Sequence, residues 1–190
     1  MKKMPISANI ALYAIFTALL AGFLYLPYVF MIPLIIMVIF MDFKASVYIS
    51  VAFGLISIAY AFITSTFVAL AFRQYPLIAI IPRLFIGPAA YGAKILMTKI
   101  TKNKNNYFLR EVLPYSVVGA VASLTNTVLV VSSFAIFAMD FSALDVTMSV
   151  AIAQMLIAGT IELAIAIIIT PAIVIALKKA DKNHFLYIES

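Results

Sequence analysis

Residues 148–177 read MSVAIAQMLIAGTIELAIAIIITPAIVIAL, thirty residues with one charged side chain, Glu162. As a helix this stretch is about 45 Å long at 1.5 Å per residue, against roughly 30 Å of hydrocarbon in a bilayer. It is too long and too continuously apolar for the alternating strands of a membrane barrel. A lipid-exposed backbone must satisfy its own hydrogen bonds, so the stretch predicts a membrane-spanning helix.

Working outward, five more apolar segments precede it, at about residues 8–24, 29–41 (a short one), 45–67, 77–97 and 112–138. The chain has 190 residues, 66% hydrophobic and 11% charged, and its mean hydropathy is +1.17. A soluble domain has about 25% charged residues, so this chain has too little polar surface to cover a globule. Six spans use about 120 residues at about 20 each. That leaves short loops and excludes a second soluble domain or a sizeable nucleotide-binding module. The expected fold is an all-α membrane protein, a bundle of six transmembrane helices forming a single domain over 1–190. Lys2-Lys3 before an apolar run imitates a signal peptide, but further spans follow at once, so the first segment is expected to stay attached.

The connections carry the charge. Leu26-Pro27-Tyr28, Asp42-Phe43-Lys44 and the run from Phe72 to Pro76 separate the early spans. The one long polar loop, residues 99–111, holds Lys99, Lys102, Lys104 and Arg110. Thirteen Lys and Arg face seven Asp and Glu, a net charge of +6. Such a balance can mark a nucleic-acid binder, but here the charges sit at span ends, where the positive-inside rule accounts for them. Lys2, Lys3, Lys44, the long loop and the tail Lys178, Lys179 and Lys182 fall on one side, and Arg73, Asp140 and Asp145 on the other. Both termini are expected to be cytoplasmic. With no Trp, an aromatic belt must use Tyr and Phe, and Tyr25, Tyr28, Tyr75, Tyr107 and Tyr115 fall near span ends.

Polar residues inside apolar segments are expensive and point to function. Arg83 lies one to two turns into the fourth segment, between Pro82 and Pro88, where carbonyls stripped of their donors are expected. A central Arg costs at least about 2.5–3.5 kcal/mol. It either snorkels to the interface or lines an outward-facing cavity and holds a ligand carboxylate. Glu162 needs a partner or a proton. It is either a packing contact, with Arg83 or Asn126 as partner, or part of a cavity wall. Gln154, Ala158 and Glu162 recur every four residues and are expected on one face. Ser123, Asn126, Thr127 and Val130 form a second polar face, serving as interhelical glue or as a site that reads hydroxyls and amides. Tyr91 completes the candidate ligand-binding set of Arg83, Asn126, Thr127, Gln154 and Glu162. In the first segment Ala14, Ala18 and Gly22 form a small-residue stripe that permits close helix approach, inside this bundle or against a partner.

Other chemistry has no visible apparatus. Cysteine is absent, which excludes disulfides and thiolate sites. The single histidine, His184, cannot form a cluster, and no catalytic constellation or metal site is apparent. The stretch from Gly87 to Lys94 imitates a phosphate-binding loop, but Ala93 precedes Lys94, Ile95 follows it, and it lies inside an apolar helix.

Three segments together resemble the substrate-binding S component of energy-coupling factor (ECF) vitamin transporters, closest to the pantothenate type. They are residues 76–87 (PLIAIIPRLFIG), 122–130 (ASLTNTVLV) and 159–166 (GTIELAIA), the last continuing to Pro171-Ala172-Ile173. Ala14-x-x-x-Ala18 also matches that family's pattern, and the likeness covers nearly the whole chain. It departs at Tyr75-Pro76, where Asn-Pro is expected, and at Pro88 after Gly87. The resemblance implies a six-helix protein of a bacterial plasma membrane that binds a water-soluble vitamin outside, without chemistry on it, and topples in the bilayer to release it inside. It implies a transmembrane coupling subunit as partner, facing Ala14 and Ala18, and two ATPase subunits that bind the ATP. The chain itself is expected to bind no cofactor, no metal and no nucleic acid, and to be no enzyme. Pantothenate, with a carboxylate, two hydroxyls and an amide, fits the polar inventory. Pyridoxine, hydroxymethylpyrimidine, riboflavin and folate remain alternatives. So does a stand-alone carrier driven by protons through Glu162, although the inverted repeats such carriers show are not found.

Overall fold

A computed structural model describes residues 6–26, 28–137 and 147–180. Seven α-helices account for most of it: α1 Ile6–Phe23, α2 Ile32–Phe40, α3 Phe43–Ala61, α4 Phe67–Gln74, α5 Pro76–Thr101, α6 Leu113–Ile136 and α7 Met148–Ala180. One π-helical turn, Phe108–Val112, leads into α6. No strand occurs among the described residues. Five helical stretches are long and apolar enough to cross a membrane: α1, α3, α5, α7, and α6 with its π-helical turn.

Two expected boundaries differ. The short segment at 29–41 forms a helix of only nine residues, α2, about 14 Å long and unable to cross alone. All nine are buried, as expected of a helix apolar on every side. The segment at 45–67 breaks after Ala61, and a separate short helix, α4, follows. The hydroxyl of Thr66 caps α4, accepting from the Ala69 N–H at 3.2 Å. The calls that rest on Lys2, Lys3, Pro27, Asp140, Asp145, Lys182 and His184 lie outside the described residues.

α5 packs between α3 and α6, α7 covers the other side of α6, and α1 lies against α2 and α3. α2 touches α1, α3, α5, α6 and α7, and so forms the centre. Lys94 on α5 holds its C-terminal end, donating to the carbonyls of Met41 at 2.8 Å and Val38 at 3.2 Å. A cation there meets orphan carbonyls and the negative end of the helix dipole. The lysine that imitates a phosphate-binding loop is therefore a helix cap.

Small residues set the helix spacing. A Cβ at Gly119 would stand 2.7 Å from the Ala166 carbonyl oxygen, so only glycine lets α6 approach α7 there. Gly87 meets the backbone of Ser46 and the hydroxyl of Ser50, and its N–H donates to that hydroxyl at 2.8 Å. Gly87 meets Ser46 while Gly54 meets Ile80, and Gly119 meets Ala166 while Gly159 meets Thr127, so α3 and α5, and α6 and α7, run antiparallel. Tyr13 stacks on Tyr48 at 4.8 Å and, further along both helices, Tyr25 just past α1 meets Tyr60 at 5.3 Å, so α1 and α3 run the same way. One end of the bundle thus gathers α4 with the starts of α5 and α7. The other gathers Lys44, Lys99, Lys102, Lys104, Arg110, Lys178 and Lys179.

Candidate functional site

Proline shapes the helix at Arg83. Pro82 has no N–H, so the carbonyl of Ile78, four residues earlier, loses its helical donor. The Arg83 guanidinium fills that role, with Nη1 3.4 Å from the Ile78 oxygen. The same device recurs in α7. Pro171 deprives the Ile167 carbonyl, and the Ser116 hydroxyl donates to it at 2.9 Å.

Arg83 is 6% exposed, so it turns inward rather than snorkelling. Its guanidinium carbon lies 4.7 Å from the Phe72 ring centroid and 5.6 Å from that of Phe53. Cation–π contacts of this kind contribute about 0.5–2 kcal/mol each. Two of them, with the carbonyl contact, offset most of the roughly 2.5–3.5 kcal/mol insertion cost. Nε remains buried without a hydrogen-bond partner.

Beside this guanidinium lies a cavity of about 210 Å³. Phe30, Phe53, Tyr60 and Phe72 form its aromatic walls, and Ser57, Thr64 and Thr66 contribute hydroxyls. Arg83 is the only charged side chain lining it among the described residues. α4 and the turn before it form one side. Arg73 on α4 holds that turn, its Nη2 donating to the Thr64 carbonyl. On another side the chain between α1 and α2 contributes Leu24 and Phe30. In that connection Tyr28 has φ of 67°, in the left-handed region that costs a non-glycine residue energy.

Glu162 and Asn126 are each 6% exposed and face the bundle interior. Asn126 and Arg83 both lie within electrostatic reach of the Glu162 carboxyl group. The two charges form no direct ion pair among the described residues. Asn126 Oδ1 and Glu162 Oε1 are buried without hydrogen-bond partners, as is the Ser123 hydroxyl.

The sequence-derived set therefore divides. Arg83, Asn126 and Glu162 come together inside the bundle. Thr127 packs on Gly159, where an added Cβ would stand 3.0 Å from the Thr127 Cβ. Gln154 is exposed. Tyr91 lies eight residues beyond Arg83, about 12 Å along α5, where it meets Lys94 at 5.0 Å and Phe43 at 5.5 Å. The hollow beside Arg83 was expected to be shared with the helices of Asn126 and Glu162. Its wall comes instead from α3, α4 and the chain before α2. Phe53, Ser57, Tyr60 and Thr64 were not anticipated, whereas Phe72 opens the Phe72–Pro76 connection that was expected to cover the pocket. A small-polar pattern, Ser46, Ser50, Gly54 and Ser57, marks the buried face of α3 that carries two of them. Ala14, Ala18 and Gly22 are exposed, and a Cβ on Gly22 would touch nothing within 4 Å. Among the described residues the stripe thus packs on no other helix.

Among the described residues no group of three His, Cys, Asp or Glu is placed to hold a metal ion. The sequence matches no protein-family model and no curated protein.

Proposed function

We propose that this chain is the substrate-binding membrane subunit of an ECF-type importer, taking a small anionic vitamin, pantothenate first among candidates, from outside the cell. The observation that carries the reading is a buried cation, Arg83, facing a cavity with aromatic walls and a hydroxyl rim. A carboxylate there takes two parallel hydrogen bonds from the guanidinium. Ser57, Thr64 and Thr66 meet ligand hydroxyls, and the Phe53 and Phe72 rings cover the apolar part. Binding is non-covalent and the ligand leaves unchanged.

Volume narrows the substrate class. Drug-sized sites hold roughly 300–1,000 Å³, so about 210 Å³ favours a compact vitamin over flavin or folate. In this reading the chain crosses the membrane six times, with α2 and the irregular segment before it completing the second passage. Irregular backbone at that depth is tolerated where protein surrounds it. The basic end is cytoplasmic by the positive-inside rule, both termini lie there, and the cavity faces outward. The coupling subunit docks on the exposed Ala14 and Ala18 face, and two ATPase subunits supply the energy.

Calorimetry on the purified chain tests this, comparing pantothenate with its alcohol analogue, which lacks the carboxylate. Saturable binding of the acid and at least tenfold weaker binding of the alcohol support the reading. Equal binding, or none of either, removes it. A second reading is a proton-driven carrier working through Glu162, favoured by the buried Oε1 of that residue beside Arg83. Proton-coupled accumulation in vesicles holding this chain alone selects it.

A further inference from the structure

The basic end holds a second recess, of about 390 Å³, where the π-helical turn before α6 meets the last turns of α7. The turn contributes Arg110 and Glu111, and α7 contributes Lys178 and Lys179. Among the described residues, three cations and one carboxylate leave a net charge of +2 on its wall. Lys178 answers Glu111, its Nζ 3.1 Å from Oε2. Arg110 is only loosely held, with Nε 3.9 Å from Glu111 Oε1 and its side chain 67% exposed. The excess positive charge therefore sits on Arg110 and the exposed Lys179. Asn105 and Tyr107 add neutral donors.

An apolar component accompanies the charge. Ile175 lines the recess, and Tyr107 and Phe108 beside it are 59% and 55% exposed. Aromatic rings exposed at a helix end are placed to sit at headgroup level. A soluble anion needs only the cations, whereas a phosphodiester with acyl chains uses both features. We infer that this recess holds the headgroup phosphate of an anionic phospholipid. Arg110 and Lys179 take the phosphate oxygens, and Tyr107 and Phe108 lie in the interface alongside. The inference needs the chain to be in a membrane, and is independent of the ligand at Arg83.

The test is native mass spectrometry of the purified, delipidated chain, supplied with phosphatidylglycerol or phosphatidylcholine of the same acyl chains. Preferential retention of phosphatidylglycerol is expected. Each basic residue near an anionic surface contributes about fivefold, so Arg110→Ala with Lys179→Ala should lower retention about 25-fold. Both side chains are exposed, and an unchanged melting temperature checks that the fold survives. Lys179→Gln alone, at about fivefold, gives a milder variant. Lys102→Ala with Lys104→Ala, on the same end but outside the recess, should lower retention far less. Equal retention of the two lipids overturns the proposal, and so does an equal loss in the Lys102 and Lys104 variant, which would mean a diffuse basic surface. Saturable displacement of neither lipid but direct binding of inorganic phosphate would make it a soluble-anion site and overturn it too.

Discussion

Arg83 donates to the carbonyl of Ile78, the carbonyl that Pro82 leaves without a helical donor. The contact holds the base of the guanidinium's reach inside the bundle, between the Phe53 and Phe72 rings. A helix defect and a buried cation thus stabilise each other.

If this cation holds a carboxylate, its shape matters as well as its charge. Arg83→Ala should weaken binding of the anionic vitamin by about 2–5 kcal/mol, the usual cost of removing one partner of a buried charge pair. Arg83→Lys should recover part of it, since a lysine keeps the charge but not the two-pronged geometry. Calorimetry with both variants checks this, and equal affinities for wild type and Arg83→Ala would take Arg83 out of the site.

Glu162 competes electrostatically for Arg83 without lining the cavity. Glu162→Gln should therefore tighten anion binding severalfold while keeping a polar group near Asn126. Titration calorimetry reads the change, and weaker binding would mean that the carboxylate itself contacts ligand.

Lys94 caps α2 from 2.8 and 3.2 Å. Lys94→Met should lower stability by about 1–3 kcal/mol, the cost of leaving buried carbonyls unpaired, and leave ligand affinity unchanged. Thermal unfolding in detergent and a binding titration separate the two effects.

Gly159 and Thr127 meet where α7 crosses α6. Gly159→Ala should destabilise by about 1–3 kcal/mol through overpacking. Thr127→Ala in the same chain should restore part of the loss, and a double-mutant cycle of melting temperatures measures the coupling.

Among the described residues the small-residue face of α1 packs on no other helix. Ala14→Trp or Ala18→Trp should leave ligand binding intact and abolish co-purification with coupling and ATPase subunits. Intact co-purification would place the partner elsewhere.

The all-helical class was legible because the apolar runs are long, and Arg83, Glu162 and Asn126 because polar groups are costly in such runs. The proline effect at Arg83 was legible for the same local reason: a missing N–H is a property of one residue. The cavity wall was not. Phe53 and Phe72 look like any other apolar residue until tertiary packing brings α4 over α3. Gln154 was misplaced by helix geometry. Four-residue steps drift by about 40° each, so two steps carry it about 80° from Glu162, off the buried face that holds Met155, Gly159 and Ala166. The end of α3 was hidden because apolar residues continue past Ala61, although Thr64-Ser65-Thr66 marks the turn.

The most direct test is mass spectrometry of small molecules released by denaturing the tagged chain after mild extraction from its native membrane. A compact carboxylate-bearing vitamin should accompany the wild type in stoichiometric amount and be missing from Arg83→Ala. A neutral or cationic compound retained equally by both proteins would contradict the account.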